Sequence, residues 1–151
     1  MSAQANIVAF DGAATPVSHT LVPVGTSREK TEGSRAEWRE NILTLPKEAQ
    51  ITAATQIQTL KSGVERVALT VKVPVMEAIS GQNAAGYTAA PKVAFEDTVV
   101  VVGYFSPRSA TANRRLVRQL AANIFNGIST SVAPVNTGPA AEAFDSSISA
   151  S

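Results

Sequence analysis

The chain has 151 residues, 44% hydrophobic and 17% charged, with a formal charge of +1: enough for one domain with a core, and too little net charge to argue by itself for nucleic acid. It has no cysteine and one histidine, which excludes disulfides, thiolate zinc sites, cysteine nucleophiles and multi-histidine metal centres. No apolar run approaches the ~20 residues that cross a bilayer, and residues 1–10 lack the basic and apolar regions of a secretory signal; the expectation is a soluble protein, made in a cytoplasm, with no membrane partner and no cofactor.

Residues 6–10 are β-compatible, Asp11-Gly12 is a turn signal, and residues 17–24 can return as a hairpin partner. Pro16 and Pro23 suit an edge position there, and His19, in Val17-Ser18-His19-Thr20-Leu21, reads as a strand residue rather than a ligand. Residues 26–35, charged and containing Gly33, read as a loop. Residues 38–45 end at Pro46 and carry too short an apolar stripe for a helix.

Residues 49–60 alternate loosely, with Ile51, Ala53, Thr55 and Ile57 on one side and Gln50, Thr52, Ala54, Gln56 and Gln58 on the other. After the Lys61-Ser62-Gly63 turn, residues 64–75 alternate cleanly: Val67, Leu69, Val71 and Val73 face one way, Arg66, Ala68, Thr70 and Lys72 the other. Residues 74–91 form a long loop around Gly81-Gln82-Asn83-Ala84-Ala85-Gly86, of a length that is usually functional. Residues 92–105 are the last long strand, and Val99-Val100-Val101-Val102 is apolar on both faces. Left as an exposed edge, that run would aggregate, so something must cover or pair it.

Ser106-Pro107 then reads as an N-cap and first helical position. Leu116, Val117, Leu120, Ala121, Ile124 and Phe125 recur at helical spacing, Arg114, Arg115 and Arg118 lie largely off that stripe, and Asn126-Gly127 ends the helix. Two segments result: residues 1–127, carrying hairpin, sheet and first helix, and residues 128–151, a Ser/Ala/Pro/Gly-rich segment with a short helix expected over 139–144 and a flexible remainder. Strands first and helices last make an α+β domain with an antiparallel meander. One amphipathic helix covers a large sheet poorly, so a second copy of the chain is the expected partner.

With these elements in place, the chain resembles the coat proteins of single-stranded RNA bacteriophages, the leviviruses. The resemblance is carried by Val67-Ala68-Leu69-Thr70-Val71-Lys72-Val73-Pro74, the Gly/Asn loop, Pro91-Lys92-Val93-Ala94-Phe95-Glu96-Asp97 and the helix around Arg114-Arg115-Leu116-Val117-Arg118-Gln119-Leu120, with Ala36-Glu37-Trp38 upstream. It implies an N-terminal hairpin, a five-stranded antiparallel sheet and C-terminal helices, in an intertwined homodimer whose helices cross the partner's sheet. Leu116, Val117, Leu120, Ile124 and Phe125 would form that dimer interface. The dimers would build an icosahedral shell around viral RNA in the bacterial cytoplasm, with Gly81, Gln82, Asn83 and Gly86 meeting symmetry mates at the shell axes. Without cysteines, that loop cannot staple the shell.

The resemblance also implies that the helix-free face binds an RNA hairpin, as translational repressor and packaging signal. That face would present Thr52, Gln56 and Gln58, then Arg66, Thr70 and Lys72, then Phe95 and Asp97. Phe95 stands where the family commonly stacks an RNA base on tyrosine, and Arg66 and Lys72 would contact phosphates. Ala54 and Ala68 depart from the hydroxylated positions with which better-known members hold an adenine. Competing readings are a packing role for Phe95, solvated strand faces for Gln56, Gln58 and Thr70, and outward or inter-subunit positions for the helix arginines. No catalytic constellation is present: Glu96 and Asp97, being adjacent in a strand, point to opposite faces. The remaining alternative, a cellular dimeric β-sheet RNA- or single-stranded-DNA-binding protein without a shell, would carry more aromatics than 5%.

Overall fold

Residues 4–78, 86, 92–133 and 135–151 are described by the computed structural model. Six strands, β1 (Ile7–Phe10), β2 (Ser18–Glu29), β3 (Gly33–Glu40), β4 (Thr52–Thr59), β5 (Glu65–Met76) and β6 (Val93–Phe105), pair antiparallel in chain order in one sheet. Two helices follow, α1 (Thr111–Phe125) and α2 (Pro139–Ser146). The sheet has six strands rather than five because the hairpin strand β1 stays paired with β2, Ile7 opposite Leu21 and Phe10 opposite Ser18.

The stretch read as a loop over 26–35 is mostly strand. β2 runs to Glu29, and β3 starts at Gly33, whose φ of +80° sets it against the Ile57 carbonyl where a Cβ would not fit. β3 alternates Arg35, Glu37 and Arg39 against Ala36 and Trp38; the charged residues disguised a half-buried strand.

The register defines the two faces. Ala53, Val71 and Val99 lie in line, as do Thr55, Leu69 and Val101, and Ile57, Val67 and Gly103. This is the covered face. Trp38, 1% exposed, packs there with Leu21, Ala36, Ala53 and Ala150, and its Nε1 donates to the Ala5 carbonyl at 2.9 Å. Gln4 ties both chain ends to that place: its amide Nε2 donates to the Glu37 carbonyl at 2.8 Å, and its backbone N–H to the Ser151 carbonyl at 3.0 Å.

Helix α1 begins at Thr111, later than Ser106-Pro107 implies. The Ser106 hydroxyl oxygen instead accepts the Arg108 N–H at 3.2 Å and its carbonyl the Ser109 N–H at 2.9 Å, so the capping signal makes a turn. The helix ends as its sequence indicates, with Gly127 at φ +61°. After Gly127 the chain is more tied down than its composition suggests. Helix α2 sets Ala143 and Phe144 against Val67 and Phe105, and the two phenyl rings meet edge to face at 6.1 Å. Gly103 leaves the space those rings occupy. Phe144→Ala should therefore cost about 3–5 kcal/mol, measured by urea denaturation; a cost below about 1 kcal/mol would show that α2 is not part of the core.

Candidate assembly and RNA-facing surfaces

The face opposite the helices is built by register. Arg39, Thr52, Lys72 and Thr98 lie in line across β3 to β6; so do Glu37, Ala54, Thr70 and Val100, then Arg35, Gln56, Ala68 and Val102, and finally Gln58, Arg66 and Tyr104. Thr52, Gln56, Gln58, Arg66, Thr70 and Lys72 thus share one face. Phe95 and Asp97 do not. They pair with Val75 and Val73, in phase with Val71 and Val99, and so lie on the helix side.

Several of these groups already have partners. Lys72 Nζ lies 2.9 Å from Glu96 Oε1. Gln56 and Gln58 donate through Nε2 to the carbonyls of Glu32 and Thr31 at 3.1 and 2.7 Å, pinning the β2–β3 turn. Arg66 reaches only the Gln56 side-chain oxygen, at 3.4 Å, and has no carboxylate partner among the described residues. Arg35, Arg39, Thr52, Ala54, Thr70 and Lys72 line a cavity of about 260 Å³ with Glu37 and Glu96, and the buried Arg39 Nε has no hydrogen-bond partner among the described residues. Arg35, Arg39 and Tyr104 were missed from sequence; the alternation of residues 33–40 was the signal for the first two.

On the other face, α1 packs against α2 far more than against the strands. Its apolar stripe is open: Leu116, Val117 and Leu120 are exposed, Ile124 78% and Phe125 77%. The arginines expected outside or between subunits hold it instead. Arg118 grips Asp145 in a fork, Nε to Oδ1 at 2.8 Å and Nη2 to Oδ2 at 3.1 Å, and Arg115 Nε reaches Oδ2 at 3.0 Å. Arg114, buried, meets Glu65 Oε2 at 2.7 Å and lies over the Phe105 ring at 5.1 Å. Strand β6, thirteen residues long, has β5 as its one neighbour among the described residues, with Val99 and Val100 exposed on its two faces. Of the loop residues, Gly86 has φ +77°, whereas Gly81, Gln82 and Asn83 lie outside the described residues.

The family model described as levivirus coat protein matches residues 2–140. The chain belongs to the levivirus coat protein family. The coat fold is also found in the virus-like particle of bacteriophage EMS014 (27% identity, 97% of each chain, TM-score 0.70). The virus-like particle of bacteriophage ESE058 (21%, 97% of each chain, 0.68) and the bacteriophage GA protein capsid (19%, 95% of each chain, 0.60) share the fold. No curated protein matches. The chain is therefore a structural coat protein that forms shells, not an enzyme, and its place is the virion.

The ion pairs of the coat protein give it a defined response to acid. The Ser147 hydroxyl, then Arg114, hold the Glu65 carboxyl below its ordinary value. Burial pushes Asp145 up, but the bonds and charges of Arg118 and Arg115 outweigh it and leave the carboxyl lowered. Both contribute stability above the ordinary carboxylate range that is lost as pH falls through the lowered values. His19 behaves oppositely. Its bond to Glu40, 2.9 Å from Nδ1, raises it above 6.5, so its contribution is full below that value and fades as pH rises through the raised one. Asp145→Asn leaves Arg118 without its carboxylate and should cost about 3–5 kcal/mol at pH 7, with a smaller loss of stability on acidification than the parent. Denaturant titrations at pH 7 and 3.5 measure both, and a parent-like stability of the variant at pH 7 would show the clamp to be idle.

Proposed function

We propose that this coat protein dimerises through α1 and the β6 edge, and that the dimers assemble in the bacterial cytoplasm into an icosahedral shell whose helix-free sheet face holds single-stranded viral RNA. The observation that carries the dimer is the pairing of two open features in one chain: an apolar helix stripe with little sheet beneath it, and a long strand with one neighbour. A two-fold axis beside β6 satisfies both at once. The edges pair into one continuous sheet, and each α1 lays Leu116, Val117, Leu120, Ile124 and Phe125 over its partner's strands. Burying five such side chains contributes roughly 1.5–3 kcal/mol each at full burial. The apolar cavity of about 290 Å³ between Val101, Phe105, Val117, Phe125 and Phe144 offers a place for part of a partner's helix. The dimer is then obligate, and its monomer unstable alone.

For RNA, support comes from the cations on the uncovered face. Arg66 and Arg39, neither with a carboxylate partner among the described residues, supply phosphate contacts beside Thr52 and Thr70, with Lys72 and Arg35, each already paired to a carboxylate, next to them, while the carbonyl-bound Gln56 and Gln58 keep the turn in place. Hairpin recognition as a translational repressor would use the same face. The loop bearing Gly81, Gln82, Asn83 and Gly86 would meet its copies at the shell axes.

Electron microscopy of the recombinant protein should show uniform spherical particles containing host RNA, and particles dissociated gently should yield dimers by native mass spectrometry; monomers as the smallest stable unit would contradict the dimer. Leu120→Asp puts a charge into the helix–sheet contact and should abolish both dimer and particles; normal dimers would refute the covering role of α1. Arg66→Ala with Lys72→Ala should lower the 260/280 nm absorbance ratio of purified particles with the dimer intact. An unchanged ratio would place RNA on another surface.

A further inference from the structure

We propose that Tyr104 is a stacking platform for an unpaired RNA base, with Arg66 beside it as the phosphate contact; this rests on the reading that the uncovered face binds RNA. Tyr104 is 64% exposed and lies on that face, directly opposite Arg66, which in turn lies opposite Gln58. Opposed side chains of an antiparallel pair stand about 4.5–5.5 Å apart at Cβ, so ring and guanidinium border one patch. An open aromatic ring next to a cation free of carboxylates suits a flat base attached to a phosphate.

The rest of the patch favours the same ligand. Val102 and Val100, half exposed on the same side of β6, extend an apolar floor from the ring. The β2–β3 turn, pinned by Gln56 and Gln58 through the carbonyls of Glu32 and Thr31, stands near the Arg66 end of the strands. At the other end, Lys72 is neutralised by Glu96. Among the described residues an open ring and a cation without a carboxylate partner coincide only at the Tyr104 end, since Arg39 beside Lys72 has no exposed ring next to it, and an RNA strand crossing this face would have its base contact there rather than at Phe95, which lies on the opposite face.

The test uses the full-length coat protein stripped of RNA and a fluorescein-labelled decamer of uridine, with affinity read by anisotropy. Tyr104→Leu should weaken binding by roughly 5- to 150-fold, and Tyr104→Phe, which keeps the ring, should bind as the parent does. Photo-crosslinking the parent to a 5-bromouridine decamer should attach the label to the peptide containing Tyr104, a readout independent of how any variant folds. Parental affinity in Tyr104→Leu, or crosslinks only elsewhere, overturns the platform and leaves RNA binding by this face standing. Absence of binding by the parent overturns both.

Discussion

The grip of Arg115 and Arg118 on the buried carboxylate of Asp145 is the interaction on which the rest of this coat protein depends. It fastens α1 to α2, while Phe144 and Ala143 fasten α2 to the sheet. A helix with the stripe Leu116, Val117, Leu120, Ile124 and Phe125 would otherwise lower its free energy by collapsing onto its own strands. Tied along the arginine side, it keeps that stripe open. A buried ion pair of this kind contributes less to stability than its geometry suggests, because desolvation opposes it. Its effect lies in orientation.

The same economy of contacts divides the sheet. Its helix side is finished near β1 to β4 by Trp38, Leu21 and Ala150, and unfinished near β6, where Val99 and Phe95 stand exposed. Its other side is mostly polar along β3 and β4, broken by Ala54, and is most apolar along Val100 and Val102, beside Tyr104. In the proposed dimer the unfinished half of the first side is closed by a second copy, and the second side turns inward as a shared surface for RNA. Acid weakens Glu65 and Asp145 together, so in the proposed dimer helix attachment and assembly would share one set of carboxylates.

How much was legible in the sequence followed how strongly each segment announced its phase. Residues 64–75 alternate without ambiguity and became β5, and the helical stripe and its Asn126-Gly127 end were equally plain. The four valines 99–102 carry no phase, because both faces are apolar. The sides of Phe95 and Asp97 were therefore set by family resemblance, and the register with Val71 and Val73 reverses them. Arg35 is hidden because a charged strand on an open face resembles a loop. The arginine clamp was out of reach altogether: Arg118 and Asp145 are 27 residues apart and Arg114 and Glu65 lie on different elements, so only tertiary packing joins them.

What covers α1 decides whether the coat protein pairs in this way. A cryo-electron microscopy map of the assembled particle, at a resolution that separates side chains, measures this directly. The expected map shows Leu120 and Ile124 seated against the sheet of a second copy whose β6 continues the first copy's β6, with Asp145 still held by Arg115 and Arg118 of its own chain. A map in which the α1 stripe faces solvent, or folds back over its own β5 and β6, would contradict this pairing.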